Sequence, residues 1–290
     1  MIRVLVVVVM LALTWTGWLQ HRAAQEVATW ITTLRPHVLV RYEHLRAWPG
    51  QAIHLHHVTL EPVGSWREGL GLPVGYRVRA AQLNWGQADA ATGERTVQLD
   101  GLTVPLEGLP EHLALPLQRS GFESLTGALH VVAQPPLNGL PWHWTLAWQG
   151  DMGLTARLGV RFEAGPAFPA FTLQGMTLVD ATLRVDDAQG VLDRIQYSAA
   201  LASRRPVKAW ADATVQRLLH AAAAADWMPP PSLVTTLERG LRAPQSFVLK
   251  VAPPAPVRLD QVHLYASEDR WALLGVAFAL SPPRIASDNR

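Results

Sequence analysis

The sequence predicts a mainly β protein with some α-helix. We expect an N-terminal transmembrane helix, then a curved, mostly antiparallel β-sheet body that one or two helices from the C-terminal half cover. Three observations lead to this prediction. Val4–Leu19 carries no charged residue, the chain after Val38 mostly alternates apolar and polar residues with a period of two, and Val207–Trp227 is an alanine-rich stretch of helical character. The expected domains are an anchor with a helical extension, a β-rich body with a helical insertion at about 207-242, and a flexible tail: residues 1-35, 36-280 and 281-290.

Composition permits a large core and excludes several classes of protein. Of the 290 residues 49% are hydrophobic and 17% are charged, which is not the composition of a disordered chain. The 25 basic and 23 acidic residues nearly balance and form no basic run, so we expect no nucleic-acid partner. The chain has no cysteine, which excludes disulfides, thiolate catalysis and cysteine-based zinc sites.

The first apolar segment fits a membrane anchor. Val4–Leu19 would span about 24 Å as a helix, slightly less than a hydrocarbon core of about 30 Å, and Trp15 and Trp18 suit the far interface. A cleaved signal peptide begins in the same way, but cleavage requires small residues before the cut. The available sites place His21, Arg22 or Trp15 there. We therefore predict an uncleaved single-pass anchor, with the body outside the cytoplasm because no second span follows.

An apolar stripe continues beyond the anchor, at the three- and four-residue spacing of a helix that ends at Pro36. Two interpretations are open: the stripe docks on the body, or it lies among lipid headgroups. Its members are Ala23, Val27, Trp30, Ile31 and Leu34.

Strict alternation is clearest in a predicted hairpin. Trp142–Trp148 and Leu154–Phe162 each place apolar residues on one face, and the turn sequence Gln149–Gly153 separates them. A second strand pattern has two intervening residues where strict alternation requires one, as a β-bulge does. If it recurs as a structural unit, Leu55, Leu99, Leu173 and Leu259 are each buried in a strand that has an irregularity just after them. The four copies are Ile53–Leu60, Val97–Val104, Phe171–Leu178 and Val257–Leu264.

The body contains one predicted helical region. Val207–Trp227 stops at the prolines 229–231, and Ser232 is a candidate cap for a short second helix. The apolar residues of that second helix fall four apart: Leu233, Leu237 and Leu241.

Few residues are candidates for binding a metal ion, a cation or a lipid headgroup, and each of them also has an ordinary structural interpretation. His54, His56 and His57 form a cluster that suits a metal, but these residues occupy the polar positions of a strand. Three aspartates suit a cation loop, but the stretch from residue 186 to 190 reads better as a hairpin connection. Arg204-Arg205 suits lipid headgroups or an exposed loop. The aspartates are Asp186, Asp187 and Asp193.

No phosphate-binding loop, paired-histidine zinc helix or nucleophile elbow is present. We therefore predict a protein that is not an enzyme, and we assign no catalytic, cofactor-binding or metal residues.

Several segments together resemble a known group of proteins. They are the N-terminal anchor, Val40–Leu45, Ile53–Leu60, Leu99–Leu102 and Leu173–Met176. The chain is similar in these segments, and in texture over Met1 to Leu280, to AsmA-like and YdgA-like envelope proteins of Gram-negative bacteria. The resemblance implies one inner-membrane anchor and a periplasmic body of curved β-sheet. Several AsmA-like members are implicated in phospholipid movement or outer-membrane assembly, although this chain is much shorter than the members that bridge two membranes.

Two functional hypotheses follow, with an enzyme third. In the first, a non-enzymatic envelope protein offers an apolar sheet face to lipid acyl chains or to a protein partner, without a cofactor. In the second, the same face is a filled core, and the chain is an assembly module that joins other envelope proteins. The residues expected to line the face are Trp142, Trp144, Trp148, Leu154, Leu158 and Phe162.

Overall fold

The computed structural model describes residues 2–48, 52–86, 89, 91–136, 141–163, 176–244 and 246–280, with the side chains of residues 2–17, 112 and 113 outside that description. The helices are α1 (Ile2–Leu34), α2 (Gly64–Gly69), α3 (Glu111–Arg119), α4 (Val191–Ala202), α5 (Val207–Ala224), α6 (Pro231–Arg242) and α7 (Ser267–Leu274), with a 3₁₀ helix at Leu259–Leu264. The strands are β1 (Val38–Arg41), β2 (His44–Ala47), β3 (Ile53–Pro62), β4 (Val78–Trp85), β5 (Arg95–Pro105), β6 (Ser124–Gln134), β7 (Trp142–Gly150), β8 (Leu154–Phe162), β9 (Thr177–Asp187), β10 (Phe247–Val251), β11 (Val257–Arg258) and β12 (Val276–Leu280).

The described strands form one open antiparallel sheet, which confirms the prediction of a mainly β fold. Its order is β1-β3-β4-β5-β6-β7-β8-β9-β10-β12, with β2 paired to β3 and β11 paired to β9. Strands β3 to β9 are therefore neighbours both in the chain and in the sheet. Between β9 and β10 the chain forms α4, α5 and α6, and then it returns to the same edge.

The two faces of the sheet differ in polarity from β3 to β9. Because opposed residues share a face, the strand registers define rows that cross the sheet. One row is apolar at every position: Leu55, Leu83, Leu99, Leu129, Trp148, Ala156, Val185, Phe247 and Leu280. The adjacent row on the other face is largely polar: His54, Asn84, Gln98, His130, Ala147, Arg157, Arg184, Val248 and Ala279.

The stripe on α1 docks on the apolar face at the β1–β5 end of the sheet. Ala23 and Val27 are buried in the same cluster as Leu55, and Trp30 packs on Trp85 with ring centroids 4.7 Å apart. The amide of Gln20 also donates to the carbonyl oxygen of Ala47, at 3.0 Å. Of the two interpretations of the stripe, the structure thus shows docking on the body.

The predicted anchor Val4–Leu19 lies within α1. Most of its side chains lie outside the described residues. Across the part of the chain that the structure describes, no helix is both long and apolar enough to cross a membrane.

The described residues of the C-terminal half form four α-helices rather than the one or two that the sequence predicted. Helices α5 and α6 lie in the region of about 207-242 where helix was predicted, although α6 begins at Pro231, so Ser232 lies inside it. Helices α2, α3, α4 and α7 were not predicted. Of these, α2, α3 and α7 have nine residues or fewer, and α3 contains Pro116, so their periodic signal is weak.

The hairpin connection predicted for residues 186–190 is wrong, because this segment joins β9 to α4. Asp187 lies ahead of the helix, and its carboxylate accepts hydrogen bonds from the backbone N–H groups of Val191 at 2.9 Å and Leu192 at 2.8 Å. These bonds satisfy donors that the first turn of a helix leaves without partners. Asp186 instead pairs with Arg184. Neither aspartate therefore serves a cation loop here.

Two copies of the bulged unit are confirmed. Leu55 and Leu99 are both buried in strands. The register between β5 and β6 shifts between Leu99 and Leu102, where Gly101 has φ +59°. His57 occupies the equivalent position in β3 and has φ +52°. The left-handed region favours glycine, and a Cβ on Gly101 would lie 2.8 Å from the Cβ of Ala81.

The fourth copy is wrong, and the third is incompletely described. Leu259–Leu264 forms a 3₁₀ helix in place of a strand. The three-residue spacing from Leu259 to Val262 matches one turn of a 3₁₀ helix as well as it matches a bulge, so the sequence pattern was ambiguous. In the third copy Leu173 lies outside the described residues, whereas Met176 and Leu178 are buried.

Candidate functional site

The hairpin of β7 and β8 places all six predicted face residues on one side of the sheet. Trp142 is opposite Phe162, Leu146 is opposite Leu158 and Trp148 is opposite Ala156. The connection runs from Asp151 to Gly153, as predicted. The six residues are nevertheless not equivalent, because the ends and the middle of this face are covered differently.

One end of the face is a packed core. Phe162 is 0% exposed and Trp144 is 3% exposed. Their rings meet edge to face with centroids 4.9 Å apart, and Trp142 stacks on Phe162 at 6.2 Å. Met176 and Leu259 belong to the same cluster. Aromatic pairs in these geometries stabilise a core beyond the area they bury, so this end of the face is structural.

The other end of the face is also covered. Leu154 packs against a cluster built on Leu106, Phe122 and Val191, together with Ile195 of α4. Helices α3 and α4 contribute to this cluster, so Leu154 also belongs to the core and not to an open surface.

Between these ends lies a stretch that we call the middle face. Its side chains come from four consecutive strands, β6 to β9, and each of them is half-buried. Helix α1 lies over the β1–β5 end of the same apolar face. Helix α6 packs on β12 at the far end. The middle face therefore lies between two helix-covered regions. It consists of Leu146, Trp148, Leu158 and Leu183, together with Leu129, which also packs against the cluster that α1 covers.

The opposite face carries a hydrogen-bonded polar network. Nδ1 of His54 lies 2.6 Å from Oδ1 of Asn84, whose Nδ2 donates to Asp100 at 3.0 Å. The hydrogen bonds from Arg184 to Asp186 raise the pKa of the Arg184 guanidinium. Polar side chains that bond to one another in this way are typical of a face that is turned to water. The candidate binding surface is therefore the apolar face.

The remaining candidate residues have ordinary roles in the structure. His57 pairs with Glu43 at 2.9 Å, and both side chains are largely exposed. Among the described residues no group of three or more His, Cys, Asp or Glu side chains is placed to hold a metal ion. Arg204 and Arg205 form an exposed turn between α4 and α5, with Arg204 at φ +54°.

Comparison with known proteins gives little functional information. A family model described only as "Uncharacterized protein" matches residues 147–278, which is less than half of the chain. The match begins within β7 and ends within β12, so it includes most of the hairpin and helices α4 to α7. No curated protein matches the chain.

Proposed function

We propose that this chain is a non-enzymatic envelope protein, anchored in the inner membrane by Val4–Leu19 with its body in the periplasm, that offers its middle face to lipid acyl chains. One observation carries the proposal. The apolar face crosses the whole sheet and is buried beneath α1 and in the Trp144–Phe162 cluster, yet it is only half-buried at Leu146, Trp148, Leu158 and Leu183. A contiguous apolar patch that stays partly accessible to solvent is a candidate binding surface.

The chemistry of the middle face favours a hydrocarbon ligand. Its five side chains are four leucines and one tryptophan, which provide apolar contact area and a single indole N–H. A ligand rich in hydrogen-bonding groups would lose water contacts there without replacing them. Acyl chains lose nothing of this kind, and their burial gains about 25 cal/mol for each Å² removed from water.

The position of α1 supports a membrane source for that ligand. The helix runs without a break from Ile2 to Leu34, and its contact with the sheet begins near Gln20 and Ala23. Ala23 is four residues after Leu19 in the helix, a rise of about 6 Å. An anchor that ends at Leu19 therefore holds the first edge of the sheet next to the bilayer surface.

The packed ends of the face favour a second candidate, an assembly module of a membrane complex. Trp144, Phe162 and Leu154 already belong to filled clusters. In this candidate a segment of another envelope protein covers the middle face, and no lipid is bound.

Replacing Leu158 by lysine tests the proposed function. Leu158 is half-buried, so the aliphatic part of a lysine can remain on the face while its ammonium reaches water. We expect the full-length protein to stay folded and to retain several-fold less phospholipid than the unmodified chain. The measurement is native mass spectrometry of the protein released from detergent, with thermal melting as the check on folding.

Thr155→Lys is the matched control, because Thr155 lies on the opposite face of the same strand. Both variants keep α1, so lipid held by the anchor contributes equally to each. Equal phospholipid retention in Leu158→Lys and Thr155→Lys would contradict the lipid proposal and leave the assembly module as the better account.

A further inference from the structure

An apolar cavity of about 640 Å³ lies beside the middle face, because its floor strand β10 pairs directly with β9. Strands β10 and β12 form its floor, through Phe247, Leu249 and Val251 of β10 and the facing Phe278 and Leu280 of β12. The volume falls within the range of about 300–1,000 Å³ that is typical of small-molecule sites.

Helices complete the cavity. The predicted stripe of α6 faces it through Leu233, Leu237 and Leu241, and Trp210 of α5 and Trp271 of α7 also line it. Helix α6 also contacts β12, and Leu233 is buried, so the cavity is the volume that remains beside this contact.

The lining offers almost no polar recognition. Its one side-chain amide belongs to Gln196, which is 6% exposed and whose Nε2 donates to the backbone carbonyl oxygen of Leu241. That bond joins α4 to the end of α6 and occupies the amide donor. A ligand inside the cavity therefore meets carbon surfaces, so its buried part is hydrocarbon.

The floor is long enough for an extended hydrocarbon chain to lie along it. The five residues of β10 extend about 14 Å from first to last Cα, at ~3.4 Å per residue. Half of a hydrocarbon core of about 30 Å is about 15 Å, which is the reach of one acyl chain in a single leaflet. We propose that this cavity binds one acyl chain, either of a free fatty acid or of a phospholipid.

The segment that follows the cavity in the chain is a poor occupant. Residues 281–290 continue directly from Leu280 but include Arg284, Asp288 and Arg290. Burying such groups without partners in an apolar cavity is strongly unfavourable. An acyl chain carries no such penalty.

The cavity deepens the proposed function, on which it rests for its lipid source. Leu158, Leu183 and Leu249 form one row, which joins the middle face to the floor of the cavity. The middle face would thus lead to a partly covered apolar cavity that holds one chain. Occupation of the cavity does not require occupation of the middle face, so the two can be tested separately.

Photo-crosslinking of the full-length protein in nanodiscs of phosphatidylethanolamine and phosphatidylglycerol tests the assignment. One arm adds palmitic acid that carries a diazirine in its chain, and the other includes a phosphatidylethanolamine with the same diazirine-bearing chain. We expect mass spectrometry to find crosslinks on α6 and β10. Labelling in one arm alone identifies the free acid or the phospholipid as the source.

Leu249→Trp provides the matched variant, because the larger side chain occupies cavity volume. We expect crosslinks on α6 to fall at least tenfold, with a melting temperature equal to or above that of the unmodified chain. Val248→Trp, on the opposite face of β10, should keep the crosslinks. Leu237→Trp on the α6 wall is a second variant in case Leu249→Trp does not fold.

Other outcomes separate the two proposals. Crosslinks confined to β7 and β8 would overturn the cavity assignment and leave the proposed function intact. Crosslinks that persist in both tryptophan variants, together with lowered melting temperatures, would also overturn it, because they would mean that the site is already packed. If neither the fatty acid nor the phosphatidylethanolamine gives crosslinks on the sheet, both proposals are overturned.

Discussion

Replacing Trp144 by glutamate is expected to leave no folded protein. Trp144 is 3% exposed and packs edge to face on Phe162, which is fully buried. Removing a buried Trp costs about 3–5 kcal/mol, and an uncompensated buried charge costs a further ~3–5 kcal/mol. The sum is comparable to the whole free energy of unfolding of a typical domain, about 5–15 kcal/mol.

Near-UV circular dichroism and limited proteolysis of the full-length Trp144→Glu variant provide the measurement. The control is Thr145→Glu, which places the same carboxylate one residue along β7 on the opposite face. We expect this control to fold. A folded Trp144→Glu protein with a native near-UV spectrum would show that this end of the face is open, contrary to the packing of Trp144.

Replacing Val27 by aspartate is expected to detach α1 from the sheet. Val27 is 3% exposed, in the cluster that joins α1 to Leu55 and Leu83. The carboxylate would be buried without a partner, so we expect the free energy of unfolding to fall by about 3–5 kcal/mol. Thermal melting of the full-length protein measures the effect.

The neighbouring Ala28 is exposed, so Ala28→Asp introduces the same charge without burying it. Its loss of helix propensity is larger than that of Val27→Asp, which makes it a conservative control. We expect this control to melt within a few degrees of the unmodified chain. Equal melting temperatures for Val27→Asp and Ala28→Asp would show that α1 does not contribute to the core, and would restore the interpretation in which its stripe lies among headgroups.

The parts of the fold that the sequence predicted are those with local signals. The β7–β8 hairpin follows from strict alternation on both sides of a short turn, and α6 follows from leucines four residues apart. The bulge at Gly101 also has a local signal, because one extra residue and a glycine occur together. In each case neighbouring residues in the chain determine the structure.

The errors arose where local patterns fit two structures equally well. The residues 186–190 have the composition of a turn, but Asp187 caps a helix whose buried positions, Val191, Gln196 and Ala200, include a polar side chain and so conceal the helical period. The segment that begins at Leu259 satisfies both a bulged strand and a 3₁₀ helix. Only contacts with β9 distinguish these alternatives.

The division of the predicted face into packed ends and a half-buried middle depends on contacts between distant segments. Leu259 and Met176 cover Trp144 and Phe162 across a long stretch of sequence, and no periodicity in β7 or β8 indicates them. The cavity was missed for the same reason, since α4, α6 and β10 form it only in the folded chain. One signal was available: a helix with a stripe of leucines next to a short apolar strand.

The central claim is that the middle face meets acyl chains, and a single cysteine tests it most directly. The chain has no cysteine of its own, so Leu158→Cys can carry a polarity-sensitive fluorophore without any other substitution. We predict that reconstitution of the full-length protein with phospholipid shifts the emission of this label to shorter wavelength. A label at Thr155→Cys, on the opposite face, should stay in water. Identical spectra at Leu158→Cys before and after lipid addition, or equal shifts at both positions, would contradict the claim.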